Sequence, residues 1–243
     1  SRASQLDEIT AVEGILNGTT NYMLSAMTNS GADYAAALQK AQELGYAEAD
    51  PTADVEGLDA RRKLVLSADL AFGVNIKEED IPCVGISSIT AADIARAKEE
   101  GLTYKLIARA EKSGNAVAAF VCPTLFPSSA PEAHTDGTGN LATLYAARFG
   151  RQSFSGAGAG GYPTGSSVLR DCLDIADGCR SFYADSFVPR SVNLSGMQGK
   201  WLFRCMGETF VRECSAREAF DAYESYRKDD PHALLARYAA EEE

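Results

Sequence analysis

Apolar and polar positions first alternate in ITAVEGILN, after an opening SRASQLDE without a buried pattern, and this predicts a strand ending near Asn17. Asn17 and Gly18 then read as a turn. Thr19 or Thr20 supplies an N-cap hydroxyl for a helix through TNYMLSAMTNSG, with Gly31 closing it. From the next cap, Asp33, the residues Tyr34, Ala37, Leu38, Ala41 and Leu44 recur at helical spacing, and Gly45 sits where a left-handed terminus is wanted. Pro51 pushes Asp50 out of helical geometry, so Tyr46 to Glu56 reads as a loop. Helix resumes near Gly57 and runs through LDARRKLVLSADLAFG to Gly73.

ISSITAADIARAKEEG repeats this pattern, with Thr90 as cap, Asp93 in the first turn and Gly101 at the end. TYKLIARAEKSGNAVAAFVCPTLF predicts two strands around a turn at Ser113, Gly114 and Asn115. Pro127 to Gly139 is a loop, Leu141 to Phe149 fits helix or strand, and QSFS is a short strand. GAGAGGYPTGSSVLRDCLDIADG reads as a glycine-rich turn feeding a helix capped by Thr164. Beyond Gly178 the periodicity weakens: GKWLFRC predicts one strand, and AREAFDAYESYRKDDPHALLARYAAEEE two short helical segments broken at Pro231. The helices with one apolar face each need a surface to cover, which predicts an α+β fold: a mixed β-sheet with helices packed on one face.

The chain has 243 residues, enough to bury a sizeable core, and its formal net charge of −11 disfavours a nucleic-acid backbone or an anionic membrane surface as partner. No apolar run reaches membrane-spanning length and nothing resembles a signal peptide, so the expected location is cytoplasmic. The six cysteines include no CxxC pair and lie far from both histidines, His134 and His232, which argues against a metal site. Reduced, buried cysteines are expected, with His134 on the surface.

The candidate chemistry lies in LGYAEADPTADVEGLDARRKL. Glu48, Asp54, Asp59 and Lys63 place three carboxylates and one amine within sixteen residues, and Asp59 and Lys63, four apart with the acid first, share one helical face. A solvated loop with one helix pair worth about 0.3–0.5 kcal/mol accounts for the spacing equally well.

That stretch, preceded by GILNGTTNYML and followed by GAGAGGYPTGSSVLRDCLDIA, resembles homoserine dehydrogenase, in its substrate-binding and dimerisation domain. The motifs run from Ile9 to Ala176 in the family's order. The resemblance implies NADH- or NADPH-dependent interconversion of aspartate 4-semialdehyde and homoserine, and a homodimer. It makes Glu48 the carboxylate that holds the substrate ammonium, helped by Thr19 and the backbone of Tyr46. Asp54 and Asp59 shape the polar end of the pocket. Lys63 is the proton donor to the carbonyl oxygen, oriented by Asp59. It also brings Gly160 close to the cofactor. The chemistry suits these residue types, because an amino-acid substrate needs an anion for its ammonium, and a carbonyl receiving hydride needs a proton or a cation.

Three segments are expected: residues 1–155 for substrate binding and dimerisation, residues 156–178 to pack on a nucleotide domain, and residues 179–243 as an appendage. GAGAGG satisfies GxGxxG, yet Pro163 follows at once and no second parallel strand is evident, so it does not read as a dinucleotide fold. The family places that fold ahead of GILNGTT, where this chain begins, so NAD(P)H is expected to be bound mainly elsewhere. The alternative is a non-catalytic dimerisation or effector-binding module derived from the same domain.

Overall fold

The computed structural model describes residues 7–179 and 187–240. β1 (Ile9–Ile15) leads into α1 (Gly18–Ser30), α2 (Tyr34–Glu43), the single turn α3 (Thr52–Val55) and α4 (Leu58–Phe72). After β2 (Val74–Asn75) and a 3-10 turn at Glu78–Asp80 come α5 (Ala91–Glu99), β3 (Leu102–Ser113), β4 (Ala116–Pro127), β5 (Gly139–Ala146), β6 (Gly150–Ala157) and α6 (Gly161–Ala176). The last part supplies β7 (Val188–Pro189), β8 (Gln198–Cys205), β9 (Glu208–Ser215), α7 (Ala216–Asp229) and β10 (Leu234–Tyr238).

Eight strands form one sheet in the order β6-β5-β1-β3-β4-β10-β8-β9, and β2 pairs with β7 apart from it. β10 runs parallel to β4 while its pairing with β8 is antiparallel, so the sheet is mixed and the class is α+β as expected. Strand alternation sorts the core into two faces. On β4, Val117, Ala119, Val121 and Leu125 join α1, α4 and α5 in the main core. Ala118, Phe120 and Cys122 point the other way, into a second core with Trp201, Phe203 and Phe220. One helix, α7, therefore lies across the sheet from α1–α5, and the cover is two-sided at that end.

The local signals explain most helices. Asp33 caps α2 by accepting from Ala36 N, and Thr90 with Asp93 forms a capping box on α5. α4 presents Ala60, Leu64 and Ala68 at one-turn intervals and buries them against β1 and β3. Gly57 and Gly73, both in the left-handed region, bound it.

Four local readings are corrected. The cap of α1 is Asn17, whose side chain accepts from Thr20 N at 2.9 Å; neither Thr19 nor Thr20 caps it. The loop from Tyr46 to Glu56 contains α3. α6 starts at Gly161, with Gly160 in the N-cap position and no side-chain cap, and Thr164 lies inside it. The segment after Pro231 is the strand β10 rather than a helix, since it fills the slot between β4 and β8. β9, which the sequence reading passed over, pairs with β8 along its whole length. Arg204 of β8 pairs with Asp93, tying these later strands to α5.

Of the six cysteines only Cys122 is buried, Cys172 is exposed, and none is in a disulfide. This departs from the expectation of buried thiols. His134 is exposed, as expected. No helix among the described residues is long and apolar enough to cross a membrane.

Candidate active site

The C-terminal end of β1 delivers Asn17 to the rim of a polar cleft of about 670 Å³. Asn17 is 4% exposed and organises the site with every atom of its amide. Its Nδ2 donates to Asp54 Oδ1 at 2.7 Å and to Asp59 Oδ2 at 2.9 Å, and its Oδ1 accepts from the backbone and hydroxyl of Thr20. One residue thus caps α1 and fixes two carboxylates from α3 and α4.

Lys63 enters from the first turns of α4. Its Nζ donates to Asp59 Oδ2 at 2.7 Å and to the Leu16 carbonyl at 3.0 Å. An ammonium has three protons, so one remains for the cleft, and the side chain keeps 48% of its exposure. Thr19, in the first turn of α1, donates its hydroxyl to the Tyr46 carbonyl at 2.6 Å, and the Tyr46 ring lies 5.0 Å from that of Tyr22. These contacts lock the loop after α2 onto α1, with Glu48 exposed on the cleft wall and its carbonyl held by Gln42. Gly160, at the start of α6, closes the far side.

All seven residues expected at the site, Thr19, Tyr46, Glu48, Asp54, Asp59, Lys63 and Gly160, therefore line one cleft. The sequence reading missed Asn17 as a site residue because Asn-Gly reads as a turn. It also missed Thr138 and Asn140, which reach the cleft only because β5 pairs with β1. Asn140 lies against Gly158 so closely that a Cβ there would fall 2.4 Å from its Oδ1. β6 is an edge strand antiparallel to β5, so GAGAGG is a strand-turn-helix without the parallel partner of a dinucleotide fold.

The wall at Thr138 and Asn140 is held from behind by a buried amine. Lys105 is 1% exposed, and its Nζ donates to Thr135 O at 2.7 Å and Asn21 Oδ1 at 3.1 Å. Asn21 in turn donates to Thr135 O and Gly139 O. Burial pulls the Lys105 pKa down to about 8, with Asp136 at 3.8 Å opposing. Between about pH 8 and 10.5 the unfolded chain holds a proton that the folded chain has released at Lys105, so stability rises with pH there. Cys83 and Cys122, pushed by burial from 9.0 to about 12, do the opposite above pH 9, because the folded chain keeps protons the unfolded chain loses. Two thiols outweigh one amine. Melting temperature is therefore expected to rise from pH 8 to about 9 and fall beyond it, with Lys105→Met abolishing the rise but keeping the fall. A rise persisting in Lys105→Met would refute the assignment.

A sheet-backed polar cleft with carboxylates flanking an ammonium that has one proton to spare has the chemistry to take a small polar molecule. Known proteins give it a family. The model for homoserine dehydrogenase matches residues 1–173. Homoserine dehydrogenase from Corynebacterium glutamicum is 49% identical over 175 residues, covering 70% of this chain and 39% of that protein. The Bacillus subtilis enzyme is 42% identical over 174 residues, 72% of this chain and 40% of its own length. Among solved structures, homoserine dehydrogenase from Thiobacillus denitrificans superposes with a TM-score of 0.81 at 27% identity, over 98% of this chain and 65% of that one. A putative homoserine dehydrogenase from Archaeoglobus fulgidus gives 0.67 at 42% identity, over 72% and 53%. The chain belongs to the homoserine dehydrogenase family, and it spans about two fifths of the length of the curated relatives it matches.

Proposed function

We propose that this chain is the substrate-binding and dimerisation part of an oxidoreductase that interconverts aspartate 4-semialdehyde and homoserine, within amino-acid biosynthesis. The observation that carries the reading is the Asn17–Asp59–Lys63 chain at 2.9 and 2.7 Å, opening onto a cleft shared with Glu48 and Asp54 inside the family-matched region. On this reading Glu48 binds the substrate ammonium, with Thr19 and the Tyr46 backbone bounding the same end. Asp54 and Asp59 shape the polar end, and Lys63, aligned by Asp59, gives its proton to the carbonyl oxygen.

When bound, NADH or NADPH supplies the hydride. What this chain offers it is the backbone at Gly160, whose φ of 116° only glycine adopts readily, with the Pro163 ring 3.6 Å from where a Cβ would stand. α6 beyond it buries none of its residues and exposes Val168, Leu169, Leu173 and Ile175. That apolar row supports the proposal that residues 156–178 pack on a nucleotide-binding domain, leaving residues 1–155 for substrate and dimer contacts. Of the expected appendage, the described residues from 198 to 238 add β8, β9 and β10 to the sheet.

The test is Glu48→Gln in the enzyme carrying a nucleotide-binding domain. A group that holds the ammonium in ground and transition states alike should raise KM for homoserine by about tenfold or more while kcat changes little. Unchanged KM would remove Glu48 from the site. The homodimer is checked by sedimentation: a mass near twice 25.9 kDa is expected, and a monomer at micromolar concentration would count against it.

A further inference from the structure

On the face of the sheet opposite α1–α5, a second cavity of about 400 Å³ lies beneath the loop after β4 and beside Ala239 and Ala240. We propose that it binds a small organic carboxylate, whose charged end sits on Arg237. Three guanidinium groups line the cavity, and two are accounted for. Arg109 pairs with Glu13 at 2.6 Å and Glu111 at 2.9 Å, and Tyr145 OH donates to Glu13 as well. Arg151 pairs with Glu132.

Arg237 differs. It is 7% exposed, on β10 between Thr124 of β4 and Trp201 of β8. Its Nε, like that of Arg109, has no hydrogen-bond partner; what sets it apart is that no carboxylate among the described residues lies within ion-pair distance, whereas Arg109 has Glu13 and Arg151 has Glu132. The guanidinium rests 5.8 Å over the Phe120 ring, which supports a cation but does not neutralise it. Gly199 packs beside both side chains: a Cβ there would stand 3.1 Å from Trp201 Nε1 and 3.6 Å from the Arg237 Nε.

Burial, followed by the nearby Arg109, holds the Arg237 pKa below the usual arginine value, with Glu13 and Glu111 opposing from beyond ion-pair distance, yet a guanidinium keeps its proton at neutral pH. A charge this deep without an ion-pair partner among the described residues is costly. The cavity is where a counter-ion can enter. Its remaining wall selects among anions. Phe126, Pro127 and Ala130 offer an apolar surface, and with Glu13 and Glu132 already paired to Arg109 and Arg151, Arg237 is the one lining cation without an ion pair among the described residues, enough for a single negative charge. A single carboxylate on a short apolar body meets both conditions; phosphate or a dicarboxylate does not.

Trp201 is the only Trp of the chain, pairs with Arg237 across β8 and β10, and contacts Phe120 with ring centroids 5.8 Å apart. Its emission therefore reports on this site. Isobutyrate is titrated into the chain, with isobutyramide as the uncharged isostere and chloride at matched ionic strength. A saturable change in the millimolar range with isobutyrate alone is expected, weakened about tenfold or more by Arg237→Met. Because that substitution removes an unpaired buried charge, Arg237→Met should melt no lower than wild type without ligand. If it does not fold, Arg237→Lys with the isobutyrate and isobutyramide pair decides. The proposal is overturned by no saturable response up to about 100 mM, by an equal response to isobutyramide, or by wild-type affinity in the variant. It is equally overturned if Arg237→Met converts a dimer to monomer and isobutyrate binds to neither, since the carboxylate then comes from a second copy.

Discussion

Lys63→Met is expected to lower turnover by roughly a hundredfold or more in the enzyme carrying its nucleotide-binding domain, with cofactor affinity close to wild type. The expectation follows from what the amine does with its protons. Two are engaged, by Asp59 Oδ2 at 2.7 Å and the Leu16 carbonyl at 3.0 Å, and both acceptors belong to rigid elements. Leu16 directly follows β1, and Asp59 is pinned by Asn17. The third proton is thus aimed rather than free to wander, as a donor to a developing alkoxide requires. Methionine matches the stem of lysine but offers no proton, so the loss falls on kcat for both substrates. A purely structural role predicts something else. An exposed pair four residues apart on a helix contributes about 0.3–0.5 kcal/mol, and its removal would shift the melting temperature slightly and leave kcat alone. Steady-state kinetics in both directions, with melting curves beside them, separate the two. Wild-type kcat in Lys63→Met would leave Lys63 as the helix-face partner of Asp59 and nothing more.

The acidic residues and Lys63 were legible because they are contiguous: Glu48 to Lys63 fall on a loop and the start of one helix, and a helix repeat alone puts Asp59 beside Lys63. Asn17 was hidden by its neighbour. Followed by Gly18 it reads as a turn, and only the fold shows that its amide is also the cap of α1 and the clamp on Asp54 and Asp59. Thr138 and Asn140 lie more than a hundred residues from Thr19 and reach the cleft through β1–β5 pairing, which no local pattern announces.

The same contrast divides the fold. α2 and α5 carry capping side chains, one-sided apolar faces and terminal glycines, and all three signals agree; α4 has the apolar face and the bounding glycines without a capping side chain. β10 is written LLARY, in residues that favour helix, and is a strand because β4 and β8 offer hydrogen-bonding edges on both sides. Leu141 to Phe149 fitted either state for a similar reason. Pairing with β1 on one side and β6 on the other decided it.

The backbone that carries Asp54 depends on a residue with no side chain. Gly85 packs on the turn α3 so closely that an added Cβ would lie 2.2 Å from the Val55 carbonyl oxygen and 2.5 Å from Glu56 Cα. Those are backbone atoms, which cannot rotate away. The next residue, Ile86, is fully buried and donates its N–H to the same Val55 carbonyl at 2.8 Å, so the two segments cannot separate without losing that bond. Gly85→Ala should therefore destabilise the chain by about 1–3 kcal/mol, a fall of several degrees in melting temperature. It should also displace α3, and with it the Asp54 carboxylate that Asn17 holds at 2.7 Å, so KM for homoserine rises by about tenfold in the variant that remains folded. Gly165→Ala is the control. An added Cβ meets nothing within 4 Å there, the position lies inside α6, and alanine favours helix, so its melting temperature should match wild type or exceed it slightly. If Gly85→Ala melts with the control, the close approach at Val55 is not a constraint. If it melts lower but keeps wild-type KM, Asp54 does not shape the substrate pocket and serves only to hold Asn17.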